Sequence, residues 1–194
     1  MDKTELRRSL LSQRQALSPQ QWEKQSQQIC RQIQSQDLFQ QAKTILAYLS
    51  HRQEPDLENL FMAYPHKSWG LPRCQEKNLV WHYWHPRLTT AALVKNRYGI
   101  NEPEATLPLV PVEEVDLILV PCVGCDRSGY RLGYGGGYYD RLLSQPLWQT
   151  KPTLGITFTS GYLDKLPINS WDMQLQGVCT EQEINYIQLE SLKT

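Results

Sequence analysis

Apolar residues at helical spacing open the chain. Leu6, Leu10, Leu11 and Leu17 recur near a period of 3.6 and predict a helix over 2–17. At Ser18-Pro19-Gln20-Gln21 the pattern restarts, with a serine able to cap, a proline suited to the first helical position and a glutamine that completes a capping box. Trp22, Ser26, Ile29 and Ile33 carry one face of this second helix. TILAYLS (44–50) is short, apolar and partly β-branched, the pattern of a buried strand. Leu57, Leu60 and Phe61 return to helical spacing after Pro55 and Asp56. SWGLP (68–72) and NLVWHYW (78–84) predict two more strands, and TTAALVKNRYG (89–99) a short helix ended by Gly99.

VDLILVP (115–121) gives the strongest strand signal, continuous and β-branched as in a sheet covered on both faces. After it come a glycine cluster, a helix over 138–144, a buried strand over 153–158 and a last strand at GVCT (177–180). Strands alternating with helices predict a single-domain α/β fold over 1–194: a mainly parallel sheet flanked by helices on both faces, Rossmann-like and three-layered.

Composition narrows the function. Lys plus Arg and Asp plus Glu number 20 each, so the net charge is zero and the basic excess expected of a nucleic-acid binder is missing. No apolar run approaches the roughly 20 residues that span a bilayer, and MDKTELRRSL lacks a signal-peptide core, which predicts a cytoplasmic protein without a membrane partner. Five irregularly spaced cysteines fit reduced thiols better than a disulfide framework.

The chemistry concentrates in RLGYGGGYYDRLL (131–143), which holds four of the eleven glycines. A glycine-rich turn that opens a helix lets backbone N–H groups approach an anion, and the helix start adds a favourable dipole. Arg131 supplies a permanent charge able to grip phosphate, and Asp140 a hard oxygen ligand for the magnesium that accompanies ATP. Neither common nucleotide motif is present: no Lys-Ser or Lys-Thr pair completes a P-loop, and Tyr138 stands where a dinucleotide fingerprint starting at Gly133 needs its last glycine. The alternative, a flexible turn that merely reverses the chain, leaves the flanking Arg131 and Asp140 unexplained. PCVGC (121–125) and HYWH (82–85) hint at zinc, but His82 and His85, three apart in a strand, point to opposite faces, so Cys122 and Cys125 are expected to pack beside the central strand.

LVPCVGCDRSGYRLGYGGGYYDR resembles the signature of the 5-formyltetrahydrofolate cyclo-ligases, with Pro121, Asp126, Gly129, Arg131, Leu132, Gly133, Gly135, Gly137, Tyr138, Tyr139 and Asp140 filling its pattern. Further matches span nearly the whole chain: Lys3 and Arg7, Leu49 and Glu54, Gly99 and Pro103, Leu166, Pro167 and Asp172, then Thr180 and Glu181. Some members of that family carry a basic residue in the loop where this chain has Tyr134 and Gly136, and Phe is common where Cys125 stands.

The resemblance implies a monomeric enzyme that converts 5-formyltetrahydrofolate to 5,10-methenyltetrahydrofolate with ATP as co-substrate and Mg²⁺. It assigns ATP to Lys3, Arg7 and residues 131–139, including Leu132, Tyr134, Gly136 and Tyr139. The folate falls to Leu49, Glu54, Tyr134, Gly135, Gly136, Gly137 and Tyr138. Arg131 and Tyr138 would act in catalysis, and Asp140 and Asp172 would hold the metal. Without the resemblance, Lys3 and Arg7 could form a solvated helix face, Glu54 a surface loop and Asp172 a turn cap.

Overall fold

A computed structural model of the protein describes residues 1–87 and 92–187. Two capping boxes start the opening helices, α1 (Lys3–Gln15) and α2 (Pro19–Gln34). Asp2 accepts from the Thr4 and Glu5 amides, and Ser18 exchanges hydrogen bonds with Gln21. Each cap satisfies donors that the first helical turn leaves orphaned and is worth about 1 kcal/mol. A short α3 (Asp37–Gln41) leads into strand β1 (Thr44–Leu46).

Around β1 a seven-stranded sheet assembles. Its further strands are β2 (Ser68–Gln75), β3 (Asn78–Trp84), β6 (Leu117–Pro121), β9 (Thr153–Ile156), β11 (Gly177–Cys179) and β12 (Ile184–Tyr186), in the order β12-β11-β9-β6-β1-β2-β3. The five inner strands run parallel; β12 and β3 pair antiparallel at the two edges. This is the mainly parallel α/β architecture read from the sequence.

Alternation along the inner strands divides the core into two layers. Ile45, Leu117, Leu119, Leu154 and Ile156 face α2, α3 and α4 (Glu58–Ala63), against Ile29, Ile33, Phe39, Leu57 and Leu60. Leu46, Ile118 and Val120 face the opposite way, against Leu142 and Leu143 of α5 (Tyr138–Leu143) and Trp148 of α6 (Pro146–Gln149). A strand buried on both faces needs apolar residues at consecutive positions, which explains the unbroken run in β6. Cys122 and Cys125 join the second layer as buried apolar residues.

Three features depart from the sequence expectations. Within 89–99, the residues that are described form a hairpin rather than a helix: β4 (Leu93–Lys95) pairs with β5 (Asn101–Pro103), and Asn96 accepts from the Tyr98 and Ile100 amides around Gly99, whose φ is +76°. An Asx turn with a left-handed glycine outcompetes helical spacing there; residues 89–91 of that expectation lie outside the described residues. GVCT is followed by β12, so it is not the last strand. The glycine cluster, finally, does not follow β6 directly. A hairpin of β7 (Gly124–Asp126) and β8 (Arg131–Leu132) intervenes and forms a second small sheet with β10 (Tyr162–Leu163).

Asp126 builds that hairpin. Its buried carboxylate accepts from the amides of Ser128, Tyr130 and Leu166. Gly129 turns the chain at φ +85°, where a Cβ would stand 2.4 Å from the Leu175 carbonyl oxygen. Helix α1 packs Leu10 onto this small sheet with Val123, Leu132 and Leu166. The hairpin thereby delivers the glycine loop to α1.

Candidate active site

The loop over 133–137 joins β8 to α5 and lies against α1. Gly135 at φ +99° and Gly137 at φ +66° take backbone conformations that side chains rarely adopt. The amides of Tyr134, Gly135, Gly136 and Gly137 find no acceptor among the described residues. A run of free backbone donors on a left-handed turn is an anion cradle. α5 has only six residues, so these amides contribute more than any helix dipole.

Arg7 of α1 reaches the same loop. Its Nε donates to the Gly133 carbonyl at 2.7 Å and its guanidinium lies over Gly135, 3.7 Å from where a Cβ would be. Both terminal nitrogens keep their donors free of protein acceptors among the described residues. Arg131 is placed differently from the expectation of a phosphate grip. Its Nη1 donates to the Met173 carbonyl and its Nη2 to Asp140, each at 2.7 Å, with the side chain 4% exposed. Asp140 Oδ1 also accepts from the Met173 amide at 3.1 Å. Arg131 thus fixes Asp140 and the 173 segment from behind the loop, and Arg7 is the guanidinium that faces the cradle.

Asp172 precedes that segment. Its Oδ2 accepts from Lys3 Nζ, in an ion pair between the start of α1 and the loop before β11, and from the Asn169 amide at 2.6 Å. Each carboxylate therefore keeps one oxygen, Asp140 Oδ2 and Asp172 Oδ1, without a hydrogen bond among the described residues. Among the described residues no three His, Cys, Asp or Glu side chains converge on one point. Two hard carboxylates near a free anion cradle match the way Mg²⁺ is held, by one or two carboxylates together with phosphate oxygens.

The second half of the site is the turn after β1 that carries Glu54. Glu54 is 4% exposed, and its Oε2 accepts from the His51 amide at 3.1 Å. The turn that carries it is strained: Arg52 (φ 49°) and Gln53 (φ 56°) are both left-handed, at a cost on the order of 1 kcal/mol each. Burial pushes the Glu54 carboxyl up to about 7, against the opposing charge of Arg14 and hydrogen bonds from His51 and Tyr134. Tyr134, the aromatic residue of the glycine loop, reaches this turn. Its hydroxyl takes a hydrogen bond from Arg14 Nη2 and lies 3.5 Å from the His51 carbonyl. One loop therefore serves both halves, its backbone at the cradle and its tyrosine at Glu54.

The remaining expected residues scatter around this centre. Tyr138 faces the β2–β3 turn, where its hydroxyl donates to the Glu76 carbonyl at 3.3 Å and Arg141 covers its ring. Tyr139 turns inward between Trp81 and Arg131, and its buried hydroxyl has no partner among the described residues. Leu49 is half-buried against the first core layer, and Leu132 is packed beneath α1, so its side chain is part of the core. His82 Nδ1 meets the Leu107 carbonyl, 25 positions away, and His85 Nδ1 accepts from the Arg87 amide close by, so the two rings are engaged separately.

Arg14 is the residue that sequence reasoning missed as part of the site. A signal was present: Lys3, Arg7 and Arg14 follow each other by four and seven positions on the stripe that also holds Leu10, the inward face of α1. With Arg14 buried and Lys3 and Arg7 half-buried, these charges are not a solvated face.

The profile of the "5-formyltetrahydrofolate cyclo-ligase family" matches residues 1–181. The Escherichia coli K12 5-formyltetrahydrofolate cyclo-ligase is 32% identical over 182 residues, covering 88% of this chain and 96% of that one. In three dimensions the chain resembles the Aquifex aeolicus 5,10-methenyltetrahydrofolate synthetase, with a TM-score of 0.84, 31% identity, and coverage of 100% of this chain and 97% of the other. The Mycoplasma pneumoniae 5,10-methenyltetrahydrofolate synthetase shares the fold at a TM-score of 0.74 and 22% identity, over 93% and 99% of the two chains. Profile, sequence and fold agree over the part of the chain that carries the glycine loop, Glu54 and the two carboxylates: this chain belongs to the 5-formyltetrahydrofolate cyclo-ligase family.

Proposed function

We propose that the protein converts 5-formyltetrahydrofolate and ATP to 5,10-methenyltetrahydrofolate, ADP and phosphate. The observation that carries this reading is the shared loop: free amides for phosphates at 134–137 and, on the same segment, Tyr134 reaching the turn that carries Glu54. A reaction that moves a phosphoryl group onto a folate needs those two sites in contact.

The formyl oxygen is a poor leaving group, and N5 lone-pair donation makes its carbon a weak electrophile. Attack of that oxygen on the γ-phosphorus, with ADP leaving, gives an iminium phosphate. N10 then attacks the carbon, the carbon–oxygen bond breaks, phosphate departs with the formyl oxygen, and N10 loses its proton. Such transfers depend on alignment and charge neutralisation rather than on a protein nucleophile.

The loop amides, Arg7 and Lys3 would hold the triphosphate. Arg131 would act by fixing Asp140, and Asp140 with Asp172 would hold Mg²⁺ through their free oxygens. The metal would neutralise phosphate charge when bound. Glu54 would accept paired N–H bonds from the pterin edge, Tyr134 and Tyr138 would flank the folate, and Leu49 would line its apolar side. Purified protein mixed with 5-formyltetrahydrofolate, ATP and Mg²⁺ should develop the near-ultraviolet band of methenyltetrahydrofolate. That band should require ATP and metal and be abolished in Asp140→Ala. ATP binding without any such band would refute the assignment.

A further inference from the structure

We propose that Arg14 is a positioning residue for the folate half of the site: it ties the turn carrying Glu54 to Tyr134 of the glycine loop, and its charge keeps the carboxylate ready for the pterin edge. This rests on the reading of Glu54 as the pterin-binding group. Arg14 is 4% exposed, an unusual burial for an arginine on the first helix of a chain. It donates from Nε to the Arg52 carbonyl at 3.1 Å and from Nη2 to the Tyr134 hydroxyl. Its guanidinium carbon lies 5.7 Å from the Tyr134 ring centre. The Arg52 carbonyl belongs to the left-handed pair of residues, so Arg14 clamps the strained turn itself.

Nη1 is buried without a partner, and no carboxylate lies within ion-pair distance of Arg14 among the described residues. A scaffold arginine normally meets a carboxylate or spends its donors. This one holds a charge near Glu54 without neutralising it.

Glu54 is faced by Arg14 from α1, by Tyr48 beyond β1, by His51 on its own turn, by Tyr134 from the loop and by Tyr139 from α5. Arg14 is the cation of that set. Burial drives Glu54 up to about 7, and Arg14 is the strongest opposing influence. A neighbouring opposite charge lowers a carboxyl by roughly 1–3 pH units. The two hydrogen bonds and the charge are separable functions, and different substitutions remove them.

The test is kcat/KM for 5-formyltetrahydrofolate between pH 6 and 9 in the wild type, Arg14→Gln, Arg14→Lys and Glu54→Gln, with thermal melting to confirm folding. The wild type should gain efficiency as pH rises through about 7. R14Q should move that midpoint up by about one pH unit or more, losing roughly 5-fold at pH 7 and recovering part of it by pH 9. R14K should keep the wild-type midpoint while raising KM for the folate at every pH, because an ammonium cannot span both the Arg52 carbonyl and Tyr134. A purely structural Arg14 would lower efficiency by the same factor at every pH, and that result overturns the proposal. So does an R14K midpoint that shifts as far as that of R14Q. Should R14Q fail to fold, R14K decides alone, and an unchanged folate KM in it counts against the proposal. Glu54→Gln separates the premise from the inference: an unaltered folate KM there removes the reading of Glu54 and the role of Arg14 with it.

Discussion

Replacing Glu54 by Gln should stabilise the free protein at alkaline pH while destroying its affinity for folate. The folded-state carboxyl sits at about 7 against 4.5 for an ordinary glutamate, because burial disfavours its charged form. Between those values the folded chain binds one more proton than the unfolded chain. The stability contributed by Glu54 is therefore complete below pH 4.5 and is lost as pH rises through about 7. At about 1.36 kcal/mol per pH unit, the gap is worth about 3 kcal/mol once the group is fully ionised. Glutamine keeps an oxygen for the His51 amide and carries no charge to bury. Denaturant unfolding at pH 4 should find the two proteins nearly equal; at pH 8.5 Glu54→Gln should be more stable by about 3 kcal/mol, or roughly 6–12 °C in Tm. Parallel stability curves, or a variant less stable than wild type at pH 8.5, would refute the claim that a buried, costly carboxylate is held there for a ligand.

Two further predictions concern the loop and its scaffold. Arg7→Gln should raise KM for ATP roughly 10- to 100-fold, the worth of a charge-assisted hydrogen bond or two, while leaving folate binding by calorimetry unchanged; equal losses for both substrates would show that Arg7 only supports the fold. Gly129→Ala forces a Cβ to 2.4 Å from the Leu175 carbonyl at φ +85° and should cost about 2 kcal/mol or more in thermal unfolding, whereas a neutral result would mean the Asp126 hairpin does not fix the loop.

Much of this architecture was legible because its signals are local. The capping box at Ser18 and the continuous run of β6 each state one element within a few residues. Tertiary context decided the rest. The 89–99 segment offers helical spacing, but Asn96 and Gly99 supply a turn that strand pairing makes preferable. The β7–β8 hairpin rests on buried Asp126 bonding amides up to forty residues away, which no periodicity reveals.

The site divides in the same way. Glycines and Asp140 stand together in the chain, so the loop could be recognised as a unit. That Arg131 turns away to Asp140 and Met173 depends on a segment over forty residues later. The connection of Arg14 to Tyr134 spans 120 positions, and only the burial stripe of α1 hints at it.

Phosphoryl transfer to the formyl oxygen is the central step of the proposed reaction, and tracing that atom tests it most directly. 5-Formyltetrahydrofolate labelled with ¹⁸O in the formyl group would be turned over with the protein, ATP and Mg²⁺, and the inorganic phosphate analysed by mass spectrometry. The proposed mechanism predicts one ¹⁸O in each phosphate released, matched one-to-one with methenyltetrahydrofolate formed. Label recovered in water instead, with unlabelled phosphate, would contradict it: the glycine loop would then be hydrolysing ATP without activating the folate.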